Sequence, residues 1–514
     1  MKKKPLLERM ANKVGLFSKR QVKESAQRAL SGTNWQLTAI NRLTQAWATT
    51  SQSIDSEIRQ NLGVARARCR NLAQENDYGK AFMRMIRTNV VGEYGIQLKN
   101  KAMDPPSRTF PNGLPDKFAN RLVENAWYEW NRRGNCTVDR SMSGCDIQKI
   151  AIETAGRDGE ILARKVRGFD NDASYAIQML DPEYLDHEKN EDLGNGSQIR
   201  MGVEMNKWRQ PIAYWLLRRH PADNLYYADY QGSRYERVDA SEIIHSYIWC
   251  RPEQSRGIPW MATSGFRLNM VGKYEEAEAV ASRLAASKVG LLIPDANSEY
   301  TGEMQGDAFL MDAEPGSIEQ LPKGMGFQAI DWQHPNSSYQ VFMKTCLRGV
   351  AAGLGVSYNT LANDMEGVSF SSGRLGIEDE RKSWKALQNW FIESFINRIF
   401  EDWLFVQLQL QNIPLPFAKF SKFNSPDWRA PRWSYINPID EVKSKVTEVQ
   451  AGFTSISRVL ADRGLDRDEV FQELSEDMEA ADELGLDLPA LIAPEPAAAG
   501  QPANAAPEPP DSTP

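Results

Sequence analysis

The stretch from Ser357 to Gln411 sets the scale of any fold this chain can adopt. It opens with a break, Ser357-Tyr-Asn-Thr-Leu-Ala-Asn-Asp-Met-Glu-Gly-Val-Ser-Phe-Ser-Ser-Gly373. It then runs from Arg374 to Gln411 without proline, with Gly376 as its one internal glycine. As a helix rising about 1.5 Å per residue, that run is roughly 57 Å long, more than the diameter of most small domains. Ile377, Glu380, Trp384, Leu387, Phe391, Phe395, Ile399 and Trp403 recur every three or four residues as one stripe. Trp390, Ile392, Ile396, Phe400 and Leu404 widen it, so the first half reads as amphipathic and the second as buried nearly all round. Ile413-Pro-Leu-Pro416 stops the helix. Both the core helix of a large domain and the spine of a subunit in a large assembly fit, and periodicity does not choose between them.

The 514 residues suffice for two to four domains. The formal charge is −7. A groove that grips nucleic acid carries a basic excess, so any contact with DNA or RNA has to be local or weak. Fourteen tryptophans point to large buried or interfacial surfaces. Cys69, Cys136, Cys145, Cys250 and Cys346 are odd in number and scattered, without the spacing of a zinc or redox site. They read as reduced thiols, and the four histidines are equally dispersed, so neither a metal nor a cofactor is expected. No run of eighteen apolar residues occurs, so no membrane span is expected. The basic start lacks an apolar core and a cleavage site and is not read as a signal peptide.

In chain order, residues 1–50 read as a polar arm. Ser51 to Val91 reads as two helices broken at Asn76-Asp77, with Asp77 as N-cap and with Arg59, Arg66, Arg68 and Arg70 on a basic, solvated face. Residues 91–250 alternate helical and strand patterns. They include a strand over Ile199–Met205 and a hairpin around Asn206-Lys-Trp-Arg-Gln210. Thr263 to Val289 reads as a helix with Met270, Tyr274, Ala277, Ala281, Leu284 and Lys288 on a heptad-like seam, whose alanines would let a neighbouring helix approach closely. Residues 295–336 read as a β-rich or irregular insertion, and Ser338 to Ala352 as another helix. Three short helices follow over 440–450, 455–463 and 467–484, and from Pro489 the composition is that of a disordered tail.

No catalytic signature is present. There is no P-loop, no His-Glu-x-x-His and no Gly-x-Ser-x-Gly elbow. Asp181-Pro-Glu-Tyr184 could hold a catalytic carboxylate but reads better as a turn.

Several segments resemble the lambda-type family of tailed-bacteriophage portal proteins. Arg66-Ala-Arg-Cys-Arg-Asn-Leu-Ala-Gln-Glu-Asn-Asp-Tyr78 and Asn89-Val-Val-Gly-Glu-Tyr-Gly-Ile96 are similar to its N-terminal signature. Arg251-Pro-Glu-Gln-Ser-Arg-Gly-Ile-Pro-Trp260 and Tyr274-Glu-Glu-Ala-Glu-Ala279 are similar to its lead into a first stem helix. Phe370-Ser-Ser-Gly-Arg-Leu375 and Glu378-Asp-Glu-Arg-Lys-Ser-Trp-Lys-Ala-Leu-Gln388 resemble the start of its long helix; Gly452-Phe-Thr-Ser455 and Arg463-Gly-Leu-Asp466 resemble its C-terminal unit. The order and spacing of these segments, over most of residues 50–487, make the resemblance specific.

The resemblance implies an α+β, mostly helical fold and a homo-oligomeric ring, usually of twelve subunits, at one capsid vertex of the virion. Double-stranded DNA would enter and leave through its axial channel. The parts would be an N-terminal arm (1–50), wing (51–262), stem helices (263–292 and 338–356), clip (293–337) and tunnel loop (357–373). The long helix and its return to the wing (374–439), crown (440–488) and tail (489–514) would follow. Terminase, major capsid or scaffold protein and head-completion or adaptor proteins would be partners, with assembly in the host cytoplasm and no enzymatic activity. Lys344, Arg348, Asn363, Asp364 and Glu366 would face the channel, and Ala277, Ala281 and Leu284 would lie at the subunit interface. The other reading of Lys344 and Arg348 is a salt bridge to Glu275, Glu276 or Glu278. A hydrolase with an unfamiliar Asp/Glu site and a tail or baseplate component are the alternatives for the whole chain.

Overall fold

The computed structural model describes residue 42 and residues 50–106, 113–223, 233–286, 290–294, 325–329, 338–433, 438–463, 465 and 467–484. The expected disordered tail, most of the N-terminal arm and most of the insertion lie outside these residues. The chain forms two compact units, Met1–Glu57 and Ile58–Pro514. Of the first, residue 42 and residues 50–57 are described, and they include the first turn of α1 (Ile54–Glu75). About 54% of the structure is helical, with several small sheets, as expected of an α+β chain.

Helix α2 (Asp77–Ile86) follows α1 and continues as a π turn over Arg87–Val91. Its N-cap is Asn76 rather than Asp77: the Asn76 side chain accepts from Gly79 N, which leaves Asp77 in the first turn, where its charge suits the positive end of the helix dipole. Strand β1 (Gln97–Asn100) pairs with β12 (Pro426–Arg429), near the end of the chain's return to this region. Between them come α3 (Lys117–Trp130) and α4 (Gly144–Asp158). A reciprocal Ser143–Asp146 capping box starts α4 and Gly159, at φ +94°, ends it.

Strands β2 (Glu160–Arg167) and β3 (Tyr175–Leu180) form an antiparallel sheet with β9 (Ile243–Tyr247), β2 in the middle. A five-stranded meander runs through β4 (Glu191–Gly194), β5 (Ser197–Arg200), β6 (Val203–Met205), β7 (Pro211–Leu217) and β8 (Tyr235–Asp239). The single strand expected over Ile199–Met205 is thus two. Met201 and Gly202 both adopt positive φ and turn β5 back onto β6. The hairpin expected around 206–210 joins β6 to β7.

Helices α5 (Gly265–Ala286) and α6 (Tyr339–Leu354) flank an antiparallel pair, β10 (Gly290–Pro294) and β11 (Met325–Ala329). A short helix, α7 (Tyr358–Ala362), leads to the long one. Helix α8 (Phe370–Phe391), a π turn over Ile392–Ile396 and α9 (Asn397–Gln409) run on without interruption, close to the expected span. Within the π turn the Ser394 carbonyl accepts from Ser246 Oγ at 2.7 Å, which ties the helix to β9. The stripe behaves as its spacing predicts: Ile377 is exposed, whereas Trp384, Phe391, Phe395, Ile399 and Trp403 are buried. The second half packs into an aromatic centre in which Trp127 lies 5.4 Å from Phe400, 5.0 Å from Trp403 and 5.8 Å from Trp428. Helix α10 (Phe420–Phe423) follows, and α11 (Pro438–Gln450), α12 (Ile456–Asp462) and α13 (Arg467–Glu483) occupy the expected places.

A buried ionic knot fixes the connector that leads into α5. The Glu160 carboxylate, at the first residue of β2, has no exposed surface. It accepts from Arg256 Nε at 3.0 and 3.1 Å, from Arg66 Nη2 at 2.5 Å and from Gly257 N at 2.9 Å, and it lies 3.0 Å from His245 Nε2. Arg66 is therefore not on a solvated face; it is 1% exposed and also donates to Asp158 O. The cost of burying these charges is offset because their polar atoms find carboxylate or carbonyl partners. The connector comes this close because Gly159 and Gly257 meet backbone to backbone: a Cβ on Gly257 would sit 2.0 Å from Gly159 O.

Candidate functional site

Helices α5 and α6 run antiparallel. Ser264 Oγ, at the start of α5, donates to Val350 O near the end of α6, while Tyr274 stacks on Tyr339 and meets the edge of Phe342 at 4.9 Å. Val271, Met343 and Leu347 form the buried seam between them. The seam within one chain is therefore not the alanine one. Met270 is 51% exposed, Ala277 is exposed and Ala281 half-buried. Leu284 falls in the last turn of α5.

Gly355, at φ +71°, ends α6, and Asn363, at φ +51°, ends α7. Asparagine tolerates this left-handed backbone better than most residues, and the turn after it is held by Asp364 N donating to Asn359 O. The turn brings Asp364 and Glu366 back against α6. Lys344 Nζ lies 3.2 Å from Asp364 Oδ2 and 3.3 Å from Glu366 Oε2. Tyr358 Oη donates to the same Asp364 oxygen at 2.7 Å, and Gln340 Nε2 reaches Glu366 at 3.4 Å. The Arg348 guanidinium lies 5.5 Å over the Tyr358 ring. Hydrogen bonding from Tyr358 holds the Asp364 carboxyl below its ordinary range, and the bond to Asp364 holds the Lys344 ammonium above its own.

Four of the five residues expected to face a channel are thus gathered at one place, with Asn363 as the turn that brings them there. Lys344 does not bridge to Glu275, Glu276 or Glu278; it takes Asp364 and Glu366 instead. Glu275 accepts from Tyr78 Oη at 3.0 Å, an interaction that joins α5 to α2. The two carboxylates of the break are consequently not free negative charges, because Lys344 pairs with both. Asn363 and Met365 stay exposed at its tip. Thr360 Oγ1 donates to Glu380 Oε2 on α8 at 3.1 Å, and burial raises the Glu380 carboxyl pKa.

Among the described residues, one group has the composition of a metal site: Asp181, Glu183 and His220. Arg70 already pairs with both carboxylates, with Nη2 2.7 Å from Asp181 Oδ1 and Nη1 3.0 Å from Glu183 Oε1. The Asp181-Pro-Glu-Tyr segment is a 3₁₀ turn in which Asp181 caps Glu183 N. The Glu160 knot was not legible in the sequence, since a glutamate after a helix-ending glycine has no pattern that marks it as buried. Its two arginines do lie in segments that resemble the family, Arg66 in the N-terminal one and Arg256 in the connector.

The sequence profile described as "Phage portal protein, lambda family" matches residues 41–388. A protein of Halomonas phage phiHAP-1, "Probable portal protein", is 32% identical over 456 residues, covering 87% of this chain and 86% of that protein. "Portal protein B" of Escherichia phage lambda is 22% identical and covers 85% and 87%. The "Portal protein" of Escherichia phage N15 is 22% identical and covers 87% and 90%. With a profile match over more than half its length and a relative of this identity and coverage, the chain belongs to the lambda family of phage portal proteins.

Proposed function

We propose that this portal protein, a structural component of the virion, assembles in the host cytoplasm into a ring of twelve subunits at one capsid vertex. Its axial channel passes double-stranded DNA during packaging and ejection. In this reading α5 and α6 are the stem, residues 293–337 the clip that docks terminase and later head-completion proteins, and residues 357–373 the tunnel loop. Residues 51–262 are the wing, turned towards capsid or scaffold protein, and residues 440–488 the crown. The observation that carries the reading is the α5–α6 pair: its own seam is satisfied, yet Met270, Ala277 and Val280 remain uncovered on α5, as a surface awaiting a neighbouring subunit would be. The charge-balanced cluster of Lys344, Arg348, Asp364 and Glu366 suits a wall along which phosphates slide without being gripped.

Mass measurement with negative-stain microscopy tests the ring. Particles near twelve times 58.1 kDa with a central hole support it. A species that stays monomeric at high concentration, or a filament without closure, overturns it.

A further inference from the structure

Basic residues converge at more than one place outside the stem. A groove between α2 and α4 is lined by Lys80, Arg84, Arg87 and Arg157, with Asp77 and Glu153 as its acidic members. Lys80, Arg84 and Arg87 follow one another at four and three residues along one face of the helix. They span about 10 Å of rise, the length of about three phosphates on one DNA strand.

Two of these cations are aimed and two are free. Arg157 Nε and Nη2 lie 3.0 and 2.8 Å from Asp158 Oδ2, a carboxylate with no exposed surface whose other oxygen accepts from Arg70 at 2.6 Å. Arg87 Nη1 is held 3.1 Å from Glu153 Oε1. Lys80 and Arg84 are exposed and have no ion partner among the described residues. The floor is Ala73, Ala81 and Met83, and among the described residues no aromatic side chain on which a base could stack lines the groove.

We infer that this groove is a sequence-independent contact for the phosphate backbone of duplex DNA, separate from the channel. The free Arg84 guanidinium suits phosphate oxygens bidentately, and the lysine one turn before it adds a point charge. The absence of a stacking platform favours a duplex backbone over single strands. In a chain of net charge −7, the unpaired Lys80 and Arg84, beside the ion-paired Arg87 and Arg157, make a local contact of the kind that composition permits. The inference goes beyond the ring and does not rest on it, because every groove residue comes from one subunit.

Fluorescence anisotropy of a short labelled duplex, titrated with the full-length protein across 50 to 200 mM salt, tests it. Lys80→Ala/Arg84→Ala is expected to weaken binding at least about tenfold at the low end and to reduce the slope of log affinity against log salt by about 2. Arg132→Ala/Arg133→Ala, which removes equal charge from exposed positions at the end of α3, is expected to change neither. Glu153→Gln is expected to tighten binding and keeps the test decisive should the double variant fail to fold. Unchanged slope in the groove variant, equal losses in both double variants, or no tightening with Glu153→Gln overturns the inference. Displacement of the duplex by a polyglutamate peptide at equal charge, with the peptide's own affinity lost in the groove variant, assigns the groove to an acidic protein instead and likewise overturns it. Failure of the ring in the mass measurement leaves these results readable.

Discussion

Arg256 donates to both oxygens of the Glu160 carboxylate, and neither side chain has any exposed surface. The pair ties the connector before α5 to the first residue of β2. Arg256 also reaches the Leu185 and Met201 carbonyls at 2.8 and 2.9 Å, so the same guanidinium holds the turn between β5 and β6.

Glu160→Gln leaves two buried guanidinium groups without their counter-charge. Breaking a buried pair by removing one partner costs about 3–5 kcal/mol. Chemical denaturation of the variant is expected to show a loss of that size, and a loss below about 1 kcal/mol would mean that the charge is not what holds the connector.

His245 makes stability depend on pH. Burial, aided by Arg256 and Arg66, holds its pKa below the ordinary value, although Glu160 pulls the other way. The unfolded chain therefore takes up a proton below about pH 6.5 that the folded one refuses, and stability falls as pH drops from there. Glu160, whose pKa is also depressed, contributes fully above the unfolded carboxylate range and adds no slope in that window. Melting between pH 7 and 5.5 is expected to show the decline and His245→Gln to flatten it. His187, also held low by burial, leaves a residual slope.

Ala277→Leu and Ala281→Leu separate a subunit interface from a free surface. Overpacking a close helix contact costs about 1–3 kcal/mol per site. The assembled ring is expected to lose stability by that amount, while the isolated subunit, in which Ala277 is exposed, is not. Equal melting of ring and subunit for both variants would remove the alanines from the interface.

Lys344→Ala unties the break from α6 without touching the core. Limited proteolysis is expected to cut faster around Met365, with ring formation retained. Replacing Asn363–Glu366 by a Gly-Ser sequence is expected to do the same and to lower packaging or retention of DNA in capsids. Filled capsids at normal levels with either change would show that this segment is an ordinary surface connection.

The sequence by itself determined the elements whose signals are local. The length and faces of the long helix follow from the spacing of Trp384, Phe391, Ile399 and Trp403, and Ile413-Pro-Leu-Pro416 marks its end, because periodicity and proline act within a few residues. The family, too, was legible in short ordered segments. Only the tertiary structure decided which charges meet. Arg66 reads as one of several arginines on a helix face, but Glu160, ninety-four residues away, draws it into the interior. Lys344 had candidate partners on the neighbouring helix, yet a left-handed turn at Asn363 returns Asp364 and Glu366 to it first. An ion pair depends on a few ångströms of separation, and the fold brings together residues that no periodicity in the sequence relates.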